Sequence, residues 1–138
     1  REALAGLEQA RNEADRLSLL AVLGLAELER GDPNRALEAL RKATPLAETT
    51  PIVRLWLARA LLETGDTGAA LAETGRLCQE WPDNPDTWYW RGRALETTGD
   101  LEGAREAYEK ALERNPSQPA YREALDNLNR AETPRPLP

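Results

Sequence analysis

Apolar residues along this chain recur at helical spacing, and the segments that carry them are joined by short polar steps. Three of those steps are the same dipeptide, Gly31-Asp32, Gly65-Asp66 and Gly99-Asp100, each 34 residues from the next. An alanine stands four residues after each aspartate, at Ala36, Ala70 and Ala104. Glycine takes the left-handed conformation that ends a helix, and aspartate caps the free amides that begin the next one, so each step predicts a helix-turn-helix. Pro33 suits the first position of the helix after Asp32. The small residue in the second helix lets the pair approach closely, and larger residues on the same face fill the gap. A unit of this size buries too little on its own and stacks on its neighbours, so the period predicts an all-α solenoid used as a binding scaffold.

The residues within each period resemble the tetratricopeptide repeat, whose pattern runs W-x2-L-G-x2-Y, A-x3-F and a closing proline. The unit 85–118 matches best, with Trp88, Gly92, Leu95, Ala104, Tyr108, Ala111 and Pro116 in the slots and Arg91 replacing the usual leucine. The unit 51–84 keeps Leu57, Ala58, Leu61, Ala70 and Pro82, but has Arg54 in the tryptophan slot and Thr74 in the large aromatic one. The unit 17–50 keeps Leu20, Leu23, Gly24, Ala36, Leu40 and Ala43 and lacks its closing proline. Pro45 arrives early, which predicts that its second helix ends near Thr44 and that the link to Pro51 is irregular. The resemblance implies a right-handed α-solenoid with a C-terminal capping helix.

Upstream, Ala3, Leu7 and Ala10 repeat the spacing of a second helix, so 1–16 reads as the second helix of a partial repeat and the chain as a segment of a longer protein. Downstream, Tyr121, Ala124, Leu125 and Leu128 lie at helical spacing among polar residues, which marks 119–131 as a solvating cap. One repeat domain is expected over 1–131. A Pro-rich tail or linker follows at 132–138, where three prolines in the last six residues prevent helix; their spacing also fits a ligand for a proline-binding module.

Composition narrows the chemistry. With 41% hydrophobic and 30% charged residues in 138, the chain describes one soluble domain, and no apolar run reaches membrane-spanning length. A net charge of −6 is the wrong sign for affinity built on phosphate neutralisation, which argues against nucleic acid. Sixteen arginines against two lysines suggest a GC-rich bacterial genome; the compartment, cytoplasm or periplasm, stays open. Histidine is absent, removing the commonest general base and zinc ligand. No glycine-rich phosphate loop occurs. Cys78 is the single cysteine, excluding an intrachain disulfide, and reads as a small core hydrophobe, with a reactive thiol as the alternative. Glu80, Asp83 and Asp86 surround two prolines in a turn, where Asn84 or Asp86 serves as a helix cap; turn chemistry explains the cluster better than a metal. These features disfavour an enzyme and call for no metal or cofactor.

The resemblance implies that function resides on the concave face, formed by residues of each first helix. Carried onto this sequence, those positions place Leu55, Trp56 and Arg59 in one unit and Tyr89, Trp90 and Arg93 in the next, with Trp-x2-Arg repeated at the period. A tryptophan and an arginine three residues apart share a helical face, so the six are expected to form a groove for a helical or extended partner segment. The arginines would grip acidic residues of that segment. Alternatively, the tryptophans pack between helices and the arginines pair with Glu63 or Glu96. The family's lysine and asparagine clamp for a terminal carboxylate has no counterpart at these slots, so an internal segment fits better. Trp88 falls in a packing slot. Arg91 is expected to lay its stem on the core with its head in solvent, or else to pair with an acidic residue on a neighbouring helix. The sequence thus predicts a non-catalytic protein-interaction scaffold in a larger bacterial assembly. Its alternative is a spacer or self-association segment of a longer array in a cell-envelope machine for pili or exopolysaccharide export.

Overall fold

The computed structural model describes residues 2–132, all helical or in the turns between helices. Of the Pro-rich tail expected at 132–138, Glu132 is still the last residue of the final helix, and 133–138 lie outside the described residues. In chain order the helices are α1 (Glu2–Glu29), α2 (Pro33–Lys42), α3 (Thr44–Ala47), α4 (Pro51–Glu63), α5 (Thr67–Glu80), α6 (Pro85–Thr98), α7 (Leu101–Arg114) and α8 (Pro119–Glu132). They divide into two compact units, 1–70 and 71–138, with the division inside α5.

The hinges have the chemistry the dipeptides predict. Gly31, Gly65 and Gly99 have φ of 85°, 97° and 88°, a left-handed backbone that a side chain would strain. Asp32, Asp66 and Asp100 each accept a hydrogen bond from the amide three residues on, at 3.2, 3.3 and 3.0 Å. Asn84, rather than Asp86, caps α6, accepting from the Thr87 amide at 3.2 Å.

In the first unit, Ala36, Leu37 and Leu40 of α2 meet Ala21 and Leu28 of α1 and Val53, Ala60 and Leu61 of α4 in one core. Gly24 allows the contact: a Cβ there would stand 2.5 Å from Leu40 Cγ. Two boundaries differ from the sequence expectation. The segments 1–16 and 17–29 are not two helices but one continuous α1, because Arg11 to Leu17 offers neither glycine nor proline to turn the chain. The link after α2 is also more regular than expected. α2 ends at Lys42, and Pro45 sits in the first turn of α3. Arg54, in the tryptophan slot, is 7% exposed and donates to the Glu48 carbonyl at 3.0 Å, closing that link against α4.

In the second unit, α6, α7 and α8 enclose a core of Ala104, Tyr108, Ala111, Tyr121, Leu125 and Leu128. Gly92 presses on the Tyr108 ring as Gly24 does on Leu40. Arg91 follows neither expected course. Its Nη1 donates to the Leu71 carbonyl on α5 at 2.8 Å, a backbone acceptor in place of solvent or a carboxylate. Gly75, one turn beyond Leu71, leaves the space: a Cβ there would lie 3.0 Å from Arg91 Nη1. Cys78 is buried, and desolvation pushes its thiol up to about 11, so it is poor in the reactive thiolate at neutral pH.

Candidate functional site

α6 organises the candidate site of the second unit. Its helical period puts Tyr89, Arg93, Glu96 and Thr97 along one side, where they face Ala120, Glu123, Ala124 and Asn127 of α8 across an open cleft of ≈ 570 Å³. Tyr89 sits at the centre of an aromatic group, with ring centroids 5.2 Å from Trp90, 5.9 Å from Tyr108 and 5.3 Å from Tyr121. The Arg93 guanidinium lies 5.8 Å from the Tyr89 centroid and 5.5 Å from that of Trp90, and Nη1 donates to Tyr89 Oη at 3.0 Å. These contacts hold the cation at the cleft wall.

Two buried tyrosines fasten the cleft walls. Tyr108 Oη donates to Glu96 Oε2 at 2.6 Å, tying α7 to α6. Tyr121 Oη donates to Asp86 Oδ1, tying α8 to the start of α6. Burial, followed by the carboxylate bond, raises both phenols above their ordinary value of 10.0. The folded state therefore holds these protons more tightly than the unfolded chain. Their contribution is complete below a pH of about 10 and is lost as pH climbs through the native values. In a spectrophotometric titration, Tyr108 and Tyr121 are expected to stay silent while the protein is folded and to ionise together with the loss of helicity. Ionisation of both in the folded state would contradict this.

The predicted site residues have different surroundings. Tyr89, Trp90 and Arg93 are brought together, with Tyr89 and Arg93 lining the cleft. Arg93 rests on aromatic faces rather than on Glu96, whose Oε2 receives Tyr108. In the first unit, Leu55 is only 3% exposed, so it offers almost no surface to a partner. Trp56 packs half-buried against the core. Arg59 is paired with Glu63 at 3.3 Å and with Glu29 of α1 at 3.2 Å, so the intrahelical pairing weighed from the sequence forms here. Trp88 is part of the packing: its indole donates to the Pro82 carbonyl at 2.7 Å, with Lys110 4.5 Å above the ring.

Sequence reasoning missed the α8 wall, having read that helix as a cap. The signal was present: adding the 34-residue period to Asp86, Tyr89, Trp90 and Arg93 gives Ala120, Glu123, Ala124 and Asn127. Among the described residues no cluster of three or more candidate ligands could hold a metal ion, and no helix is long and apolar enough to cross a membrane.

Glycine hinges at a fixed period, aspartate caps and paired antiparallel faces define a helix-turn-helix repeat protein. A family profile described as tetratricopeptide repeat matches residues 22–85 and 57–119, and the chain belongs to that family. Comparison with curated protein sequences gives no significant match. Solved structures agree on the fold. The first TPR of Spaghetti (RPAP3) bound to the HSP90 peptide SRMEEVD has a TM-score of 0.74 at 19% identity, over 85% of this chain and 93% of that one. The Sgt2 TPR domain from Aspergillus fumigatus has 0.74 at 25% identity, over 87% and 86%. MamA from Desulfovibrio magneticus RS-1 has 0.74 at 26% identity, over 95% and 75%.

Proposed function

We propose that the protein is a non-catalytic interaction scaffold and that the α6–α8 cleft of its second unit receives a helical or extended segment of a protein partner. The cleft carries this reading. It is open, wide enough for side chains, and combines an aromatic wall at Tyr89, small floor residues at Ala120 and Ala124, and polar groups of both signs at Arg93, Glu96, Glu123 and Asn127. Small floor residues admit a close backbone. The polar groups fix register, and Arg93 offers a forked donor to an acidic residue. The peptide bound by the Spaghetti domain supports the same class of ligand. Tetratricopeptide repeats are in general interaction modules, and a larger bacterial assembly is the setting we infer for this one. Trp90 supports Arg93 from behind. Leu55, Trp56 and Arg59 are assigned to the scaffold.

The test is capture of partners from native lysate by the wild type and by an Arg93→Glu, Asn127→Arg variant whose helicity is checked by circular dichroism. Any partner lost only in the variant, with affinity down at least about tenfold, supports the cleft. The same partners held by both proteins, or none by either, would refute it.

A further inference from the structure

Among the described residues that line the α6–α8 cleft, Arg93 is the one cation, against the carboxylates of Glu96 and Glu123. Arg93 and Glu96 stand one turn apart on α6, whereas Glu123 belongs to the opposite wall, on α8. Arg93 is held by Tyr89 Oη and by the ring faces of Tyr89 and Trp90. Among the described residues, Glu96 takes one hydrogen bond, from Tyr108, and neither carboxylate is in an ion pair. The lining is therefore unbalanced by one negative charge, and the charge without a counterpart on its own wall is Glu123.

An open cleft keeps its carboxylates solvated. A segment that fills it removes that water, and a carboxylate covered without a partner is strongly destabilised. Arg93 offsets one of the two charges, so a neutral segment would leave the other uncompensated. An acidic residue facing Arg93 would claim that cation and leave both carboxylates to be matched. In either case the covered part of the segment must hold more basic residues than acidic ones. Geometry separates the two acids. The bond from Tyr121 to Asp86 and the ring contact of Tyr121 with Tyr89 set α8 beside α6 near the 34-residue offset, which puts Glu123 level with Tyr89. Glu96 lies seven residues farther along α6, about 10 Å, too far for one side-chain cation to meet both.

We propose that the segment received by the cleft is basic, with an arginine or lysine facing Glu123, and that Glu123 is the residue that selects it. This rests on the cleft being the partner site, as proposed above. The net charge of −6 on the chain attracts such a segment from a distance, and the association is expected to weaken as salt is raised.

The test is to pan a phage-displayed library of random dodecapeptides on the whole chain. Ala124→Trp, which fills the cleft floor, and Glu123→Arg serve as parallel baits, each verified as folded by circular dichroism; where Ala124→Trp unfolds, Ala120→Trp fills the same floor. Peptides held by the wild type and lost with the filled cleft are its ligands, and they are expected to be richer in arginine and lysine than the unselected library. Changing the basic residues of the best ligand to glutamate one at a time should, at one of them, weaken binding at least about tenfold in a fluorescence-anisotropy titration, and Glu123→Arg should restore the binding of that changed peptide. If the wild type enriches nothing, or the filled cleft holds the same peptides, the cleft is not the partner site and both readings fall. If its ligands are neutral or acidic, or Glu123→Arg binds the original peptide as the wild type does, the partner site stands and the selection of a basic segment is overturned.

Discussion

Replacing Tyr108 with alanine is expected to cost about 3–5 kcal/mol, the range for emptying an aromatic site in a core. Tyr108 has no exposed surface, contacts Gly92 through its ring and stacks near Tyr89. Truncation leaves a cavity bounded by helical backbone, which relaxes only partly, and leaves Glu96 without its phenolic donor. Small domains hold only about 5–15 kcal/mol in total, so the second unit should be the part that unravels. Tyr108→Phe separates the two contributions. It keeps the ring and removes the hydrogen bond, for about 1.5–3 kcal/mol because the acceptor is a carboxylate. Urea denaturation read by circular dichroism measures both, and a Tyr108→Ala midpoint close to wild type would show that the contact between α6 and α7 is not what holds this unit.

Three glycine-to-alanine substitutions inside helices should differ in sign, although helix propensity alone favours alanine by roughly 0.5–1 kcal/mol at each. At Gly68 of α5 nothing lies within 4 Å of an added Cβ, so propensity wins and the protein is stabilised. At Gly75 the neighbour at 3.0 Å is the tip of Arg91, a long chain that can swing aside, and gain and loss nearly cancel. At Gly92 the Cβ would stand 2.5 Å from the buried Tyr108 ring, which has helices around it and nowhere to go. Overpacking of that kind costs about 1–3 kcal/mol and outweighs propensity. A double-mutant cycle checks the cause: in a Tyr108→Ala background the Gly92→Ala penalty should largely vanish. An unchanged penalty would mean that the alanine is excluded by something other than the ring.

Much of the fold was legible in the chain because its determinants are local. A glycine in the left-handed region, an aspartate three residues before a free amide and a proline in a first helical turn each act within a few residues, and the 34-residue period multiplies them into an architecture. The same period held the α8 wall of the cleft, and only the reading of that helix as a cap concealed Glu123 and Asn127. The continuous α1 was legible in principle as well, in the missing breaker between Arg11 and Leu17.

What the sequence determined by itself was therefore the helices, their caps, the pairing of small and large faces, and the repeat family. Which side chains remain available was decided by tertiary structure, because exposure and pairing depend on residues far away in sequence. Arg59 and Arg93 occupy equivalent slots, yet the first is held by Glu29, thirty residues upstream, and the second lies on the faces of Tyr89 and Trp90. Leu55 and Tyr89 are likewise equivalent, one shut inside and the other lining a cleft. Periodicity fixes which face of a helix a residue occupies; the elements packed on that face determine whether it meets water, a carboxylate or a partner.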